Sequence, residues 1–316
     1  MRPKRVLLTA SLVVLLFVFS LWLNRAQSYC TTKIEPLAGG GQSTIYQCGD
    51  EILKFYRRPW EMDLVENRHK LEALNELGFV PKTTQFYRAG FRQELIRGAP
   101  GIGLSDGEHY ELGMRLARVH QLRIGDYTLT ESTPCQSNTR HIYTHLTMGT
   151  VYWVRHCAFT DANGPSGVAH FKRVLGLLGL SLNDLRQLER NVKHYDASSF
   201  CHNDLHYRNM VKSDQGIKII DFDHANYGYR GYDIAYWLTH AGRKSIESFV
   251  NHRNKAMAEF MRGYISVNGS TTSINELHRE ICHFLPYTII DHLLGKKPKN
   301  FLDFAKAFNA SFHSNC

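Results

Sequence analysis

Between Phe200 and Asp223 the chain reads FCHNDLHYRNMVKSDQGIKIIDFD, and no other stretch narrows its possible folds as far. His202, Asp204 and Asn209 fall in a loop. Asp214-Gln215-Gly216 reads as a turn, and the β-branched run Ile217 to Ile220 reads as a strand that delivers Asp221 at its end. An amide oxygen and a carboxylate oxygen flanking a short hairpin can hold magnesium, a hard cation that prefers oxygen ligands and keeps several of its waters. Asp204 then remains as a carboxylate that can orient a hydroxyl or accept its proton. These are the parts of a phosphoryl-transfer site.

Upstream, Gly39-Gly40-Gly41 followed by Gln42-Ser43-Thr44 makes a turn whose backbone amides can approach phosphate oxygens closely. Lys54, in the next strand, supplies a point charge for phosphates, and Glu66 on the following helix can hold that lysine in place. Taken singly each has a plainer reading: a glycine run is commonly a turn, a strand lysine a solvated edge residue, and a helix glutamate a surface group. Their order and spacing set them apart.

The rest of the chain patterns around these segments. From Ile34 to Phe55 the sequence alternates turn residues with apolar and β-branched ones, with Gly49-Asp50 as a turn. Leu64, Leu71, Leu74 and Leu77 recur at helical spacing and are closed by Gly78 and Pro81, and a further strand pair covers Thr84 to Ile96. We therefore expect a small β lobe over 34–97. Gly98 to Gly103 concentrates glycine and proline and reads as a hinge. A larger lobe then fills 98–316, with an amphipathic helix over Tyr110 to Leu122, one or two helices over Phe171 to Tyr195, an irregular stretch at 123–170, and helical patterns beyond Ala241.

The succession of glycine turn, Lys54, Glu66, HNDLHYRN and IIDFD resembles the kinase-like fold shared by aminoglycoside phosphotransferases and choline/ethanolamine kinases. Asp223 rather than glycine follows Asp221-Phe222, and no long activation segment comes before the next helix, which separates the chain from protein kinases. The run through Asn226, Tyr227, Tyr229, Arg230, Gly231, Asp233 and Ile234 is similar to the choline/ethanolamine kinase pattern in particular. The resemblance implies a bilobal α+β, protein-kinase-like fold using ATP and Mg2+. It implies Asp204 as catalytic base, Asn209 and Asp221 as magnesium ligands, and Gly39, Gly40, Gly41, Ser43, Lys54 and Glu66 at the nucleotide phosphates. Glu94-Leu95-Ile96 falls where the family's backbone meets adenine. Phe284 and Tyr287 fall where choline kinases carry two tryptophans around a quaternary ammonium. Phenylalanine and tyrosine present weaker π faces to a cation, and a plain core role for both is an equal reading. Asp223 and Asp233 are carboxylates that could receive an ammonium, or, for Asp233, pair with Arg230. His202 reads as a loop-ordering residue.

The N-terminus carries a different signal. Val6 to Leu23 runs without a charge, and at about 1.5 Å per residue it is just long enough to cross a bilayer as a helix. We read 1–5 as a basic cytoplasmic flank, 6–23 as a retained signal-anchor and 24–33 as a connector. Arg2, Lys4 and Arg5 before the run outnumber Arg25 and Lys33 close after it, which makes a single-pass type II protein with the catalytic domain on the lumenal side. Asn268-Gly-Ser and Asn309-Ala-Ser are glycosylation acceptor triplets on that side. Seven widely spaced cysteines all follow the apolar run and suggest buried thiols with one or two disulfides rather than zinc. The net charge of +9 has no long basic stripe, so nucleic acid is not an expected partner.

Three functions stay open: a choline- or ethanolamine-type kinase, the same reaction on a sugar, glycan or aminoglycoside-like hydroxyl, and a catalytically silent, membrane-anchored binding module. The third is the least expected, because Lys54, Asp204, Asn209 and Asp221 are all present.

Overall fold

The computed structural model describes residues 27–37, 43–57, 64–124, 172–176, 178–192, 194–241, 243–251, 253–267 and 272–295. The chain divides into two compact units, 1–97 and 98–316. The apolar run 6–23, the glycine turn 39–41, both glycosylation triplets and nearly all of 123–170 lie outside the described residues. Among the described residues no helix is long and apolar enough to cross a membrane.

The first unit is a five-stranded antiparallel sheet. Its strands are β1 (Glu35–Pro36), β2 (Ser43–Cys48), β3 (Glu51–Tyr56), β4 (Thr83–Tyr87) and β5 (Gly90–Glu94), in the order β1-β2-β3-β5-β4. Gly49, at φ 63°, makes the expected turn between β2 and β3. Side chains alternate across a strand, so Leu53 and Phe55 share one face of β3 while Lys54 and Tyr56 share the other. Both faces are covered: all four residues are at most 5% exposed. On the Phe55 face, the connector folds back as a strap, with Tyr29 against Phe55 and Tyr87 at ring separations of 5.7 and 4.4 Å. A Cys30–Cys48 disulfide, with Cα atoms 5.9 Å apart, ties that strap to β2. On the other face, Asn67 of helix α1 (Leu64–Leu74) donates to the Tyr56 hydroxyl at 2.7 Å. The helix runs on as a 3-10 turn to Leu77 and stops at Gly78, whose φ of 67° needs no Cβ.

The second unit begins at Gly98, the point where the expected boundary between lobes falls. Gly98 to Gly103, expected as a hinge, contains a strand, β6 (Ala99–Pro100), which pairs with Val211 and Lys212 of β8 (Met210–Ser213). A Cβ on Gly98 would lie 2.1 Å from the Lys212 carbonyl oxygen, and one on Gly101 would lie 2.7 Å from the Met210 Cβ. Gly98 and Gly101 thus permit close backbone approach to β8. β8 forms an antiparallel hairpin with β9 (Gly216–Ile219), and β7 (Ser199–Cys201) pairs with β10 (Asn226–Gly228).

Helices α2 (Asp106–Gln121), α3 (Leu182–Val192), α4 (Arg230–Ala241), α5 (Arg243–Val250), α6 (Lys255–Val267) and α7 (Ile274–Gly295) carry these strands. A capping box sets the start of α2: the Ser105 amide donates to Glu108 Oε2 at 2.6 Å and the Glu108 amide to Ser105 Oγ at 3.3 Å. Helices α2 and α6 cross backbone to backbone, because a Cβ on Gly113 would lie 2.0 Å from the Phe260 carbonyl oxygen and one on Gly263 would lie 1.9 Å from that of Tyr110. Arg115 of α2 donates to the carbonyls of Ile217 and Gln215, so the same helix holds the turn of the β8–β9 hairpin. Cys282 of α7 is disulfide-bonded as well.

Candidate active site

The loop after β7 is shaped by one buried carboxylate. Asp233, in the first turn of α4, is fully buried, and its Oδ2 accepts the His202 amide at 2.8 Å while its Oδ1 accepts the Asn203 amide at 2.9 Å. His120 Nε2 donates to the same Oδ2 at 3.1 Å, and His120 Nδ1 meets the Tyr264 hydroxyl at 2.7 Å. Burial alone would push the Asp233 carboxyl up, but the bonds from His120 and from the His202 amide more than offset it and hold the pKa below the ordinary carboxylate value. Asp233 therefore neither faces a ligand nor pairs with Arg230, the two roles its sequence position suggested. Arg230 Nε instead donates to Glu280 at 3.0 Å, and the other Glu280 oxygen accepts the Gly231 amide at 3.1 Å.

Held at both amides, the loop turns at Asn203, where φ is 61°, a conformation asparagine tolerates better than most residues. His202 is fully buried. Its Nδ1 accepts the Asp204 amide at 3.2 Å, which leaves the proton on Nε2 to donate to the Ile220 carbonyl at 2.8 Å. It orders the loop as expected and links it to the end of β9.

Asp204 emerges from this turn with a side chain 26% exposed. Asn209 Nδ2 donates to its Oδ2 at 3.1 Å and to its carbonyl at 2.9 Å, which turns the Asn209 amide oxygen away from the base. The Ile220 amide donates to the Asn209 carbonyl at 2.9 Å, closing the hairpin so that Asn209 and Asp221 come from its two adjoining ends. Asp221 has φ 64°, and with Asn203 it makes the two non-glycine residues of positive φ among the described ones, both in this site. Asp223 follows in a one-turn 3-10 helix, Phe222–His224.

Two further side chains face Asp204, and neither was singled out from sequence. The Tyr236 hydroxyl donates to Asp204 Oδ1 at 3.0 Å. His206 Nε2 stands 3.7 Å from Oδ2, and its Nδ1 accepts the Arg208 amide at 3.2 Å. Burial lowers the His206 pKa against the pull of Asp204. Tyr236 had a signal to offer, since it lies three residues after Asp233 and so on the same helix face. His206 had none beyond its neighbours.

In the first unit, Ser43 and Lys54 are 4% exposed, and Lys54 Nζ lies 5.8 Å from the Phe91 ring centre. Lys54 shares the sheet face that α1 covers, and Glu66 of α1 meets Lys70 Nζ at 3.3 Å. Glu94 donates its amide to Lys82 and Leu95 to Asp50, both at 2.9 Å, so an amide contact to adenine would fall to Ile96. Phe284 and Tyr287, at 0% and 1% exposure, offer no π face to solvent. Phe284 packs against Tyr229, Tyr195 and Tyr232 with ring centres 5.2, 5.9 and 6.4 Å away, which is the core reading of this pair.

Asp204 thus lies beside the hairpin that carries Asn209 and Asp221 at its adjoining ends. The family model for choline/ethanolamine kinase matches residues 52–294, about three quarters of the chain. The chain belongs to the choline/ethanolamine kinase family. Ethanolamine kinase 2 of Rattus norvegicus is 24% identical over 244 residues, covering 74% of this chain and 58% of the relative. The chain thus spans a little over half the length of that curated relative. Among solved structures, the choline kinase LicA of Streptococcus pneumoniae superposes with a TM-score of 0.57 at 15% identity, covering 92% of this chain and 98% of that one. An ethanolamine kinase of Plasmodium vivax gives a TM-score of 0.54 at 16% identity, covering 88% and 82%. At these identities the likeness shows the fold, which is the bilobal kinase-like α+β architecture.

Proposed function

We propose that this chain is a small-molecule kinase that moves the γ-phosphate of ATP to the hydroxyl of a choline- or ethanolamine-type alcohol. The observation that carries the reading is Asp204, fixed at both carboxylate oxygens and left partly open beside the Asn209–Asp221 hairpin. Asp204 receives and orients the acceptor hydroxyl and takes its proton as the oxygen attacks. The Asn209 amide oxygen and the Asp221 carboxylate form a hard-oxygen donor pair that suits magnesium, which when bound would neutralise charge on the phosphate oxygens. The family resemblance gives Gly39, Gly40, Gly41, Ser43 and Lys54 the nucleotide phosphates.

The test is ADP release by the purified full-length chain with Mg-ATP against choline, ethanolamine, a sugar set and an aminoglycoside set. Turnover on choline or ethanolamine that falls about 100-fold or more in Asp204→Asn supports the reading. Turnover confined to a sugar or aminoglycoside replaces the acceptor, and ATP binding without turnover on any acceptor rejects the kinase assignment.

We also place the kinase domain on the lumenal side of a membrane, anchored through 6–23. The Cys30–Cys48 disulfide supports this side, because such bonds persist in oxidising compartments. Glycosidase digestion of the expressed protein tests it. A mobility shift that vanishes when Asn268 and Asn309 are both changed agrees with the lumenal side, and an unmodified domain open to protease on the cytosolic face refutes it.

A further inference from the structure

The phenol of Tyr236 occupies the base directly. Of the two Asp204 oxygens, Oδ2 accepts from Asn209 and faces His206, whereas Oδ1 accepts only the Tyr236 hydroxyl among the hydrogen bonds described. A carboxylate oxygen has two lone pairs, so Oδ1 can hold the phenol and still take a second hydroxyl. Oδ2, already engaged by an amide and faced by an imidazole, has less room. The acceptor hydroxyl therefore belongs at Oδ1, next to the phenol.

Tyr236 is itself well fixed. Its ring lies 4.3 Å from that of His240 and 6.2 Å from that of Tyr232, and His240 Nδ1 bonds back to the Tyr236 carbonyl at 3.0 Å. It also rides on the helix whose first turn carries Asp233. One helix thus sets the loop backbone through Asp233 and the direction of the base through Tyr236. We infer that Tyr236 is a positioning residue for phosphoryl transfer, aiming the Asp204 carboxylate so that the open lone pair of Oδ1 points at the acceptor hydroxyl. This rests on the kinase reading proposed above.

The test is a double-mutant cycle on the full-length chain with whichever acceptor the wild type turns over. Tyr236→Phe keeps the ring and removes only the hydroxyl. Loss of a bond to a charged group predicts a fall in kcat of about 10- to 100-fold. The KM for ATP and the unfolding midpoint should stay at wild-type values, which separates aiming from folding. In an Asp204→Asn background the same change should cost less than about threefold, because there is no longer a carboxylate to aim. A kcat for Tyr236→Phe within twofold of wild type, or an undiminished loss in the Asp204→Asn background, overturns the inference. If the wild type turns over no acceptor, the kinase reading has failed separately, and crystal structures of wild type and Tyr236→Phe decide the inference. A carboxylate that rotates or loses order upholds it, and one that keeps its direction overturns it.

Discussion

Asp233→Asn is the most demanding test of how this site is built. The wild-type carboxylate is fully buried and accepts from three donors, the amides of His202 and Asn203 and the imidazole of His120. An asparagine of the same shape offers one oxygen and one NH2, so in either flip at least one of those donors meets another donor. Each bond to a charged acceptor is worth about 1.5–3 kcal/mol, and breaking one side of a buried charged network costs about 3–5 kcal/mol. We expect a loss near the upper figure, which for a unit of this size lowers the thermal midpoint by roughly 10–20 °C. The pH dependence has a definite sign. The folded pKa lies below the unfolded one, so the stabilisation is present above the ordinary carboxylate value and is lost as pH falls through the depressed folded value. The assay is thermal unfolding followed by near-ultraviolet circular dichroism at neutral pH and again in acid, with hydrogen exchange at the His202 and Asn203 amides. A variant that unfolds within about 1 kcal/mol of wild type and still protects those two amides would refute the claim that Asp233 shapes the loop.

Asp204→Asn should cut acceptor-dependent ADP release by about 100- to 10,000-fold, to a residual rate that long incubations still read, while leaving the melting temperature close to wild type by calorimetry. Removing Cys30–Cys48, which closes a loop with a sequence separation of 18, should cost about 3 kcal/mol, visible as a lower unfolding midpoint of a Cys30→Ser/Cys48→Ser variant than of wild type, both measured without reductant. Glu280→Ala removes the carboxylate shared by Arg230 and the Gly231 amide at the start of α4, leaving Arg230 its bond to Thr272, and urea unfolding should show a loss of about 1–3 kcal/mol.

Much of this architecture was legible because local patterns and tertiary contacts agree. The glycine turn at Gly49, the Leu64–Leu74 helix with its Gly78 stop, and the β8–β9 hairpin all follow from residues whose backbone preferences match their places. The unit boundary at Gly98 was legible from its glycines and proline, but the β6–β8 pairing was not, because a glycine run looks the same whether or not a strand lies against it. Asp233 misled for a related reason. Its nearest charged neighbour in sequence is Arg230, but its actual partner His120 lies 113 positions away. His206 was invisible as a site residue, and Tyr236 offered only its spacing from Asp233, because the relevance of both lies in which oxygen of Asp204 each one faces.

The glycine crossing of α2 and α6 acts on the chemistry from a distance. His120 lies two turns beyond Gly113 on the same helix, and Tyr264 is the residue after Gly263. The two missing methyl groups therefore work like gauge blocks: they set the spacing at which imidazole and phenol meet, and through Asp233 the height of the loop that carries Asp204. An alanine at either position, the smallest change the genetic code can make there, would push apart two helices that touch nothing reactive and be felt as a misplaced base. Two positions with no side chain at all thus govern where a side chain of the candidate site can stand.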